Sequence, residues 1–211
     1  MEPGILGRKV GMTRVFSPEG KSVPVTVIEA GPCPILAVKN TPKDKYYALQ
    51  IGYNLGTKRT KRHKPLIGLI EKAKCAPVDV LRELRLAAPP EDKAGDVINV
   101  EAFEKVKMVD VTGITKGRGF TGVVKRWNKT IGPKSHGSMQ YRAPGSIGSS
   151  AWPSRVRPGR KMPGHYGCER VTVKNLDVVR IDKDSNLLFV RGAVPGANGG
   201  LLLIRKSKNL K

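Results

Sequence analysis

Four patterns in this 211-residue chain have residue types and spacings that could do chemistry. The first is GRGFTGVV, residues 117–124, which fits G-x-G-x-x-G-x-V. Glycines so spaced let backbone approach a pyrophosphate, provided that a helix follows and an acid about 20 positions on takes the ribose. Here NKTIGPKSHG breaks any helix, and no acid appears before Glu169. The HRD and DFG motifs of a kinase are absent. A nucleotide-using enzyme built on Gly117, Gly119 and Gly122 is therefore the weaker reading; flexible backbone that meets phosphates, beside Lys116 and Arg118, is the stronger. The second pattern is Ser135-His136. Adjacent residues rarely face each other, and the segment offers no carboxylate to orient the imidazole. His136 reads better as a hydrogen-bonding or stacking group for RNA. The third is His165 with Cys168, spaced as H-x-x-C. A structural zinc site wants four ligands; Cys33 and Cys75 lie more than ninety positions away, so no metal is expected. The fourth is the scattered acids Asp79, Glu83, Asp92 and Asp96, none of them paired in a glycine-rich loop. The chain is expected to use no cofactor and to be no enzyme.

Charge points elsewhere. Lys and Arg number 39 against 17 Asp and Glu, a formal net charge of +22. Such a chain attracts polyanions. The 58 positions between Asp110 and Glu169 hold no acid and eleven cations: Lys116, Arg118, Lys125, Arg126, Lys129, Lys134, Arg142, Arg155, Arg157, Arg160 and Lys161. Both tryptophans, Trp127 and Trp152, lie there too. Too much Gly and Pro interrupts the segment for an amphipathic membrane helix. Phosphates would relieve the repulsion among these cations, and if about ten met one, log K would fall with log salt at a slope of roughly −7 to −9. Aromatic residues are only 5% of the chain, so backbone and shape contacts should dominate over base stacking. No helix-turn-helix, zinc finger or basic zipper is present. A folded RNA is the expected partner, with no membrane and no small-molecule substrate. A loosely bound RNA chaperone or DNA-compacting protein is the alternative of this class. Three distant cysteines suggest no disulfide framework and fit a reducing compartment; with no signal peptide or long apolar run, a cytoplasmic location is expected.

The elements that must position these residues are mostly strands. MTRVF and SVPVTVIEA read as a hairpin around SPEG, with Val23, Val25, Val27 and Glu29 on one face and Pro24, Thr26, Ile28 and Ala30 on the other. Pro24 cannot donate to a ladder, so that strand should have an open side there. ILAVK and YYALQIGY form a second hairpin around TPKDK. Residues 58–75 hold a basic run, KRTKRHK, and then PLIGLIEKAK, a short helix with Pro65 in its first turn. Lys58, Arg59, Lys61 and Arg62 are candidate phosphate contacts. VLRELRLA, DVINVEAF and VKMVDVTGITK alternate or are β-branched; ERVTVKNLDVVRI, NLLFVRGAV and LLLIR close the series. FTGVVKRW can make a short helix, but nothing between it and Glu169 has a period of 2 or 3.6. The expected organisation is a β-rich body, 1–112 and 168–211, interrupted by a basic segment, 113–167. So long a segment without secondary structure is expected to be disordered or to be ordered only by its partner; its two Trp, two His, Ile147 and Met162 favour the partner.

In order along the chain, KVGMTRVF, VPVTVIE, VDVTGITKGRGFTGVVKRW, SHGS, RAPGSIG, GRKMPGHYG, ERVTVKNLDVVRID, NLLFVRGAVPG and LLLIRK resemble the bacterial form of the large-subunit ribosomal protein L-three family. The match runs through nearly the whole chain. The resemblance implies a mainly β fold: a closed six-stranded Greek-key β-barrel of the translation-protein type, a long irregular basic extension and one or two short helices. It implies a structural constituent of the large subunit that binds 23S rRNA near its 3′ end, acts early in assembly and touches neighbouring ribosomal proteins. The extension would approach the peptidyl-transferase centre, where RNA does the chemistry. GSIGSSAWP matches the family's tip, which places Gly145, Ser146, Ile147, Gly148, Ser149, Ser150, Ala151, Trp152 and Pro153 deepest. KRW and GRKMPG match its two arms. Ser135, His136 and His165 join the cations and Trp127 as expected rRNA contacts. Some members carry a methylated glutamine directly after GSIG; Ser149 stands there in this chain, so that modification should be absent.

Overall fold

Antiparallel pairing between strands far apart in sequence builds most of the protein. The computed structural model describes residues 4–54 and 64–207. Its strands are β1 (Gly4–Phe16), β2 (Ser22–Ala30), β3 (Cys33–Lys39), β4 (Ala48–Tyr53), β5 (Val80–Arg85), β6 (Val97–Ile98), β7 (Met108–Ile114), β8 (Phe120–Thr121), β9 (Gly164–His165), β10 (Arg170–Asp182), β11 (Leu187–Arg191) and β12 (Leu201–Lys206). Three short helices interrupt them: α1 (Thr41–Asp44), α2 (Lys64–Ala73) and α3 (Val123–Trp127), with a 3-10 turn at Val100–Phe103. The mainly β expectation holds. The basic residues 58–63 lie outside the described residues, so Lys58, Arg59, Lys61 and Arg62 receive no placement. The helix expected after them is α2, with Pro65 in its first turn.

The chain divides into two compact units. One takes in the described residues up to Ile114 and from Arg170 onward; the other is Thr115–Glu169. In the first, six strands pair in the order β1-β12-β7-β10-β11-β2, and β2 pairs back to β1. Matched positions supply an inward apolar row: Ile5 faces Ile204, Ile204 faces Val111, and Leu188 faces Ile28. All five side chains are buried. A four-stranded sheet, β5-β4-β3-β6, adds a second layer. Leu84 of this sheet lies against Gly4, and Gly4 to Gly7 are all buried. Thus β1 starts eight residues before the MTRVF segment expected from alternation. Strands covered on both faces lose the period-2 signal. On the other side of the sheet, α2 buries Ile70 and Ala73 with Leu36 and Val78.

Within the hairpin of β1 and β2, Arg8 stands opposite Glu29 and donates to Glu29 Oε2 from Nη2 at 2.7 Å. The ladder from β2 to β11 ends at Val25 opposite Arg191, one residue short of Pro24. Pro24 still accepts a hydrogen bond through its carbonyl, from the Gly192 amide at 2.9 Å. The expected open side at Pro24 is therefore the place where this ladder stops.

Cysteine environments give a direct check. The Cys33 thiol is buried and donates to the Leu6 carbonyl at 3.4 Å. Burial pushes its pKa up to about 12. Cys75 is half-buried and Cys168 exposed. Thiolate is the reactive form. Alkylation of the folded chain at about pH 8 should therefore modify Cys168 first and leave Cys33 untouched until the strands unfold. Fast Cys33 modification in folded protein, read by peptide mass spectrometry, would contradict this packing.

Candidate nucleic-acid interface

The second unit carries the acid-free sequence, and its chain ends are tied together by backbone. The Thr115 amide donates to the Glu169 carbonyl at 2.9 Å, and the Glu169 amide to Thr115 Oγ1 at 3.2 Å. Arg118 N–H donates to the Tyr166 carbonyl at 2.8 Å, and Tyr166 N–H to the Gly119 carbonyl at 2.9 Å. Phe120 and Thr121 of β8 then pair with His165 and Gly164 of β9. After this two-rung ladder, Gly122 opens α3, and Asn128 ends it in the left-handed region at φ 53. Asn tolerates that conformation better than most residues, so it suits the end of a helix.

Two donors from α3 converge on one acceptor across the unit. Arg126 Nη1 donates to the Met162 carbonyl at 3.1 Å, and Trp127 Nε1 donates to the same oxygen at 2.9 Å. The Arg126 guanidinium also lies 5.1 Å from the Trp127 ring centre, and Lys161 Nζ 5.9 Å from it. At Gly164, an added Cβ would stand 2.5 Å from Arg126 Nη1. The missing side chain leaves room for the guanidinium in this position. This clasp and the β8–β9 ladder correct the expectation that residues 113–167 are ordered only by a partner. The root of the segment is held by its own hydrogen bonds. Those bonds end on backbone carbonyls, which leave no hydrophobic period to read.

Farther along, polar contacts replace the ladder. Lys129 Nζ donates to the Pro144 carbonyl at 2.8 Å, and Gly132 N–H to the Tyr141 carbonyl at 3.0 Å. Lys134 sits 5.7 Å from the Tyr141 ring centre, and Arg118 5.0 Å from that of Tyr166. Arg160 Nη2 donates to the Ser146 carbonyl, and Ser146 Oγ to the Gly148 carbonyl at 2.9 Å. Gly145, Ser146, Ile147, Gly148, Ser149, Ser150 and Ala151 are exposed, Trp152 is 84% exposed, and Pro153 is half-buried.

Of the eleven cations, Lys116, Arg118, Lys125, Lys134, Arg142, Arg155, Arg157, Arg160 and Lys161 are exposed, and Arg126 and Lys129 are half-buried. Ser135, His136 and His165 are exposed as well. Among the described residues, every ion pair lies outside this unit. The unit thus offers nine exposed charges to an anion and uses Arg126 and Trp127 largely to fasten itself. Tyr141 and Tyr166, not singled out in the sequence, supply the faces over which Lys134 and Arg118 sit. Interleaved basic and aromatic residues were the available signal.

The glycine motif lacks the surroundings of a dinucleotide site. Gly117 meets the Cys168 sulfur, 2.7 Å from where its Cβ would be, and α3 has only five residues, in place of the long helix a dinucleotide fold requires. Among the described residues no group of three or more His, Cys, Asp or Glu is placed to hold a metal ion. Nor is any described helix long and apolar enough to cross a membrane.

A family model described as ribosomal protein L3 matches residues 90–187, which include the whole of this unit. The chain is 53% identical over 204 residues to the large ribosomal subunit protein uL3 of Thermotoga petrophila, covering 97% of each chain. Its identity to the Solibacter usitatus protein of the same name is 49% over 209 residues, 99% of this chain and 100% of that one. For the Geobacter sulfurreducens protein it is 47% over 205 residues, 97% of each. The chain belongs to the ribosomal protein L3 family. In this L3-family chain the clasp makes a testable distinction. Trypsin should cut the isolated protein first between Lys129 and Lys161, at the exposed Arg142, Arg155 and Arg160, and more slowly at Lys125 and Arg126. Trp127→Phe keeps the ring and removes the donor, and should speed cleavage at Lys125 several-fold. Equal rates in parent and variant would show that the Met162 contact restrains nothing.

Proposed function

We propose that the chain is a structural constituent of the large ribosomal subunit, without enzymatic activity, that binds 23S rRNA directly through Thr115–Glu169. The observation that carries this reading is the acid-free run with nine exposed, unneutralised cations on a backbone fixed at its root. Protein surfaces normally intersperse both signs of charge, whereas a phosphate lattice requires one. The relatives' shared name, large ribosomal subunit protein, supports the same reading. The tip from Gly145 to Pro153, exposed as far as Trp152, is then the part nearest the peptidyl-transferase centre, with Trp152 and Met162 filling gaps between RNA elements. The arms around Arg126 and Arg160 hold it there, and the chain joins early in assembly. We further infer that the ring of six strands is the Greek-key barrel of translation proteins, serving as the body from which the insertion is presented, with 23S rRNA and neighbouring ribosomal proteins as its partners.

Sedimentation tests the assignment. Large subunits washed at high salt should retain the chain at one copy per particle. Loss of the chain into the supernatant at moderate salt would instead mark a loosely held basic protein, such as an RNA chaperone.

A further inference from the structure

The first unit has a concavity of its own, about 510 Å³, between strands β7, β10 and β12 and the edge of β5. Its walls include Ile114, Pro195, Leu201 and Leu203, and Arg82 and Arg170 stand at it. That volume lies in the range of small-ligand pockets, roughly 300–1,000 Å³. No carboxylate is among the residues that line it. Arg82 and Arg170 are exposed, and neither takes part in an ion pair among the described residues. Arg82 makes one hydrogen bond, from Nη1 to the Leu81 carbonyl at 2.8 Å. Most of each guanidinium fork is left for an anion, and the fork matches phosphate in a bidentate way. A second concavity of about 400 Å³, lined by Asp92 and Glu101, has the opposite sign and would repel a phosphate.

We propose that the Arg82–Arg170 cavity takes a single RNA nucleotide, with the base face against Leu201, Leu203, Pro195 and Ile114 and the phosphate between the two arginines. This rests on the RNA-binding reading above and adds a contact on the strand-built unit that none of the insertion's cations supplies. Charge decides the occupant. Aliphatic walls alone would accept a partner protein's side chain equally well, but two guanidinium groups with no carboxylate in the lining favour an anion with an attached apolar face. An unstacked nucleotide has both features.

The experiment measures binding of the full chain to in vitro-transcribed large-subunit RNA across a salt series. Arg82→Gln with Arg170→Gln removes the one phosphate contact and should make the slope of log K against log salt shallower by about 0.7–0.9, a loss of roughly 5- to 8-fold near 0.1 M salt. The Arg→Lys pair should restore most of the slope. Ile114 is 61% exposed, so Ile114→Asp should leave the fold intact, as read by circular dichroism, and weaken binding by placing a carboxylate beside the phosphate. A photo-reactive residue at Ile114 should give an adduct of nucleotide mass in assembled subunits. A protein adduct there, or an unchanged slope in the glutamine pair, overturns the proposal. If the parent chain binds no RNA, the functional reading itself fails. If the parent binds and the insertion variant Arg155→Ala, Arg157→Ala, Arg160→Ala weakens it while the Arg82, Arg170 pair does not, only the nucleotide cavity is lost.

Discussion

Replacing Arg155, Arg157 and Arg160 together with alanine should reduce incorporation of the chain into large subunits and slow peptide transfer by the particles that form. All three side chains are exposed, and no acid lies within the 58 positions that contain them. Three lost phosphate contacts should flatten the salt slope of RNA binding by about 2–3. Arg160 does a second thing: its guanidinium donates to the Ser146 carbonyl in the tip. Alanine there removes a phosphate partner and a tether at once. Arg160→Lys separates the two, because lysine keeps the charge and loses the planar fork. Near-normal RNA affinity with slowed peptide transfer in Arg160→Lys would assign that residue to positioning the tip. Unchanged subunit yield and unchanged transfer rate in the triple variant would remove all three arginines from the proposed interface.

Charge and alternation were readable at the level of residues, and pairing was not. The strands β2, β10, β11 and β12 could be read because β-branched and aliphatic residues cluster between turn signals there. Their arrangement could not. Gly4 pairs with Arg205, and no local pattern announces a partner two hundred positions away. Lys9 is a further case. In a chain of +22 it would be counted with the surface cations, yet it is buried and donates to the Val194 and Gly196 carbonyls at 3.0 and 3.1 Å. It fastens the loop between β11 and β12, so a positive charge in this protein is not by itself an RNA contact. The insertion divides the same way. Its lack of acids was visible at once. Its clasp was not, because Met162 contributes a carbonyl that every residue possesses.

The other large effect concerns the root of the insertion, at Gly167. This residue is buried, with φ +81. A Cβ there would stand 2.2 Å from the Lys116 carbonyl oxygen, 2.9 Å from Gly117 Cα and 3.1 Å from the Arg118 nitrogen. All three atoms are backbone, so no side chain can swing away. The left-handed conformation alone costs a residue with a Cβ about 1–2 kcal/mol. The overlap adds to that, because relief requires Lys116–Arg118 to separate from Tyr166 and break the paired hydrogen bonds that join the start of β8 to the end of β9. Gly167→Ala should therefore open the root while leaving the first unit folded. Both tryptophans lie in the second unit, so tryptophan-selective fluorescence reports on it alone, whereas far-UV circular dichroism is dominated by the ladders of the first. The expected result is a red-shifted Trp127 emission and faster tryptic cleavage at Lys125, with the circular-dichroism melt unchanged. Gly167→Asn tells conformation from contact. Asn tolerates a positive φ, so if strain were the whole cost, it would behave almost like the parent. The 2.2 Å approach to the Lys116 oxygen predicts instead that Asn is about as damaging as Ala, because both carry the same Cβ.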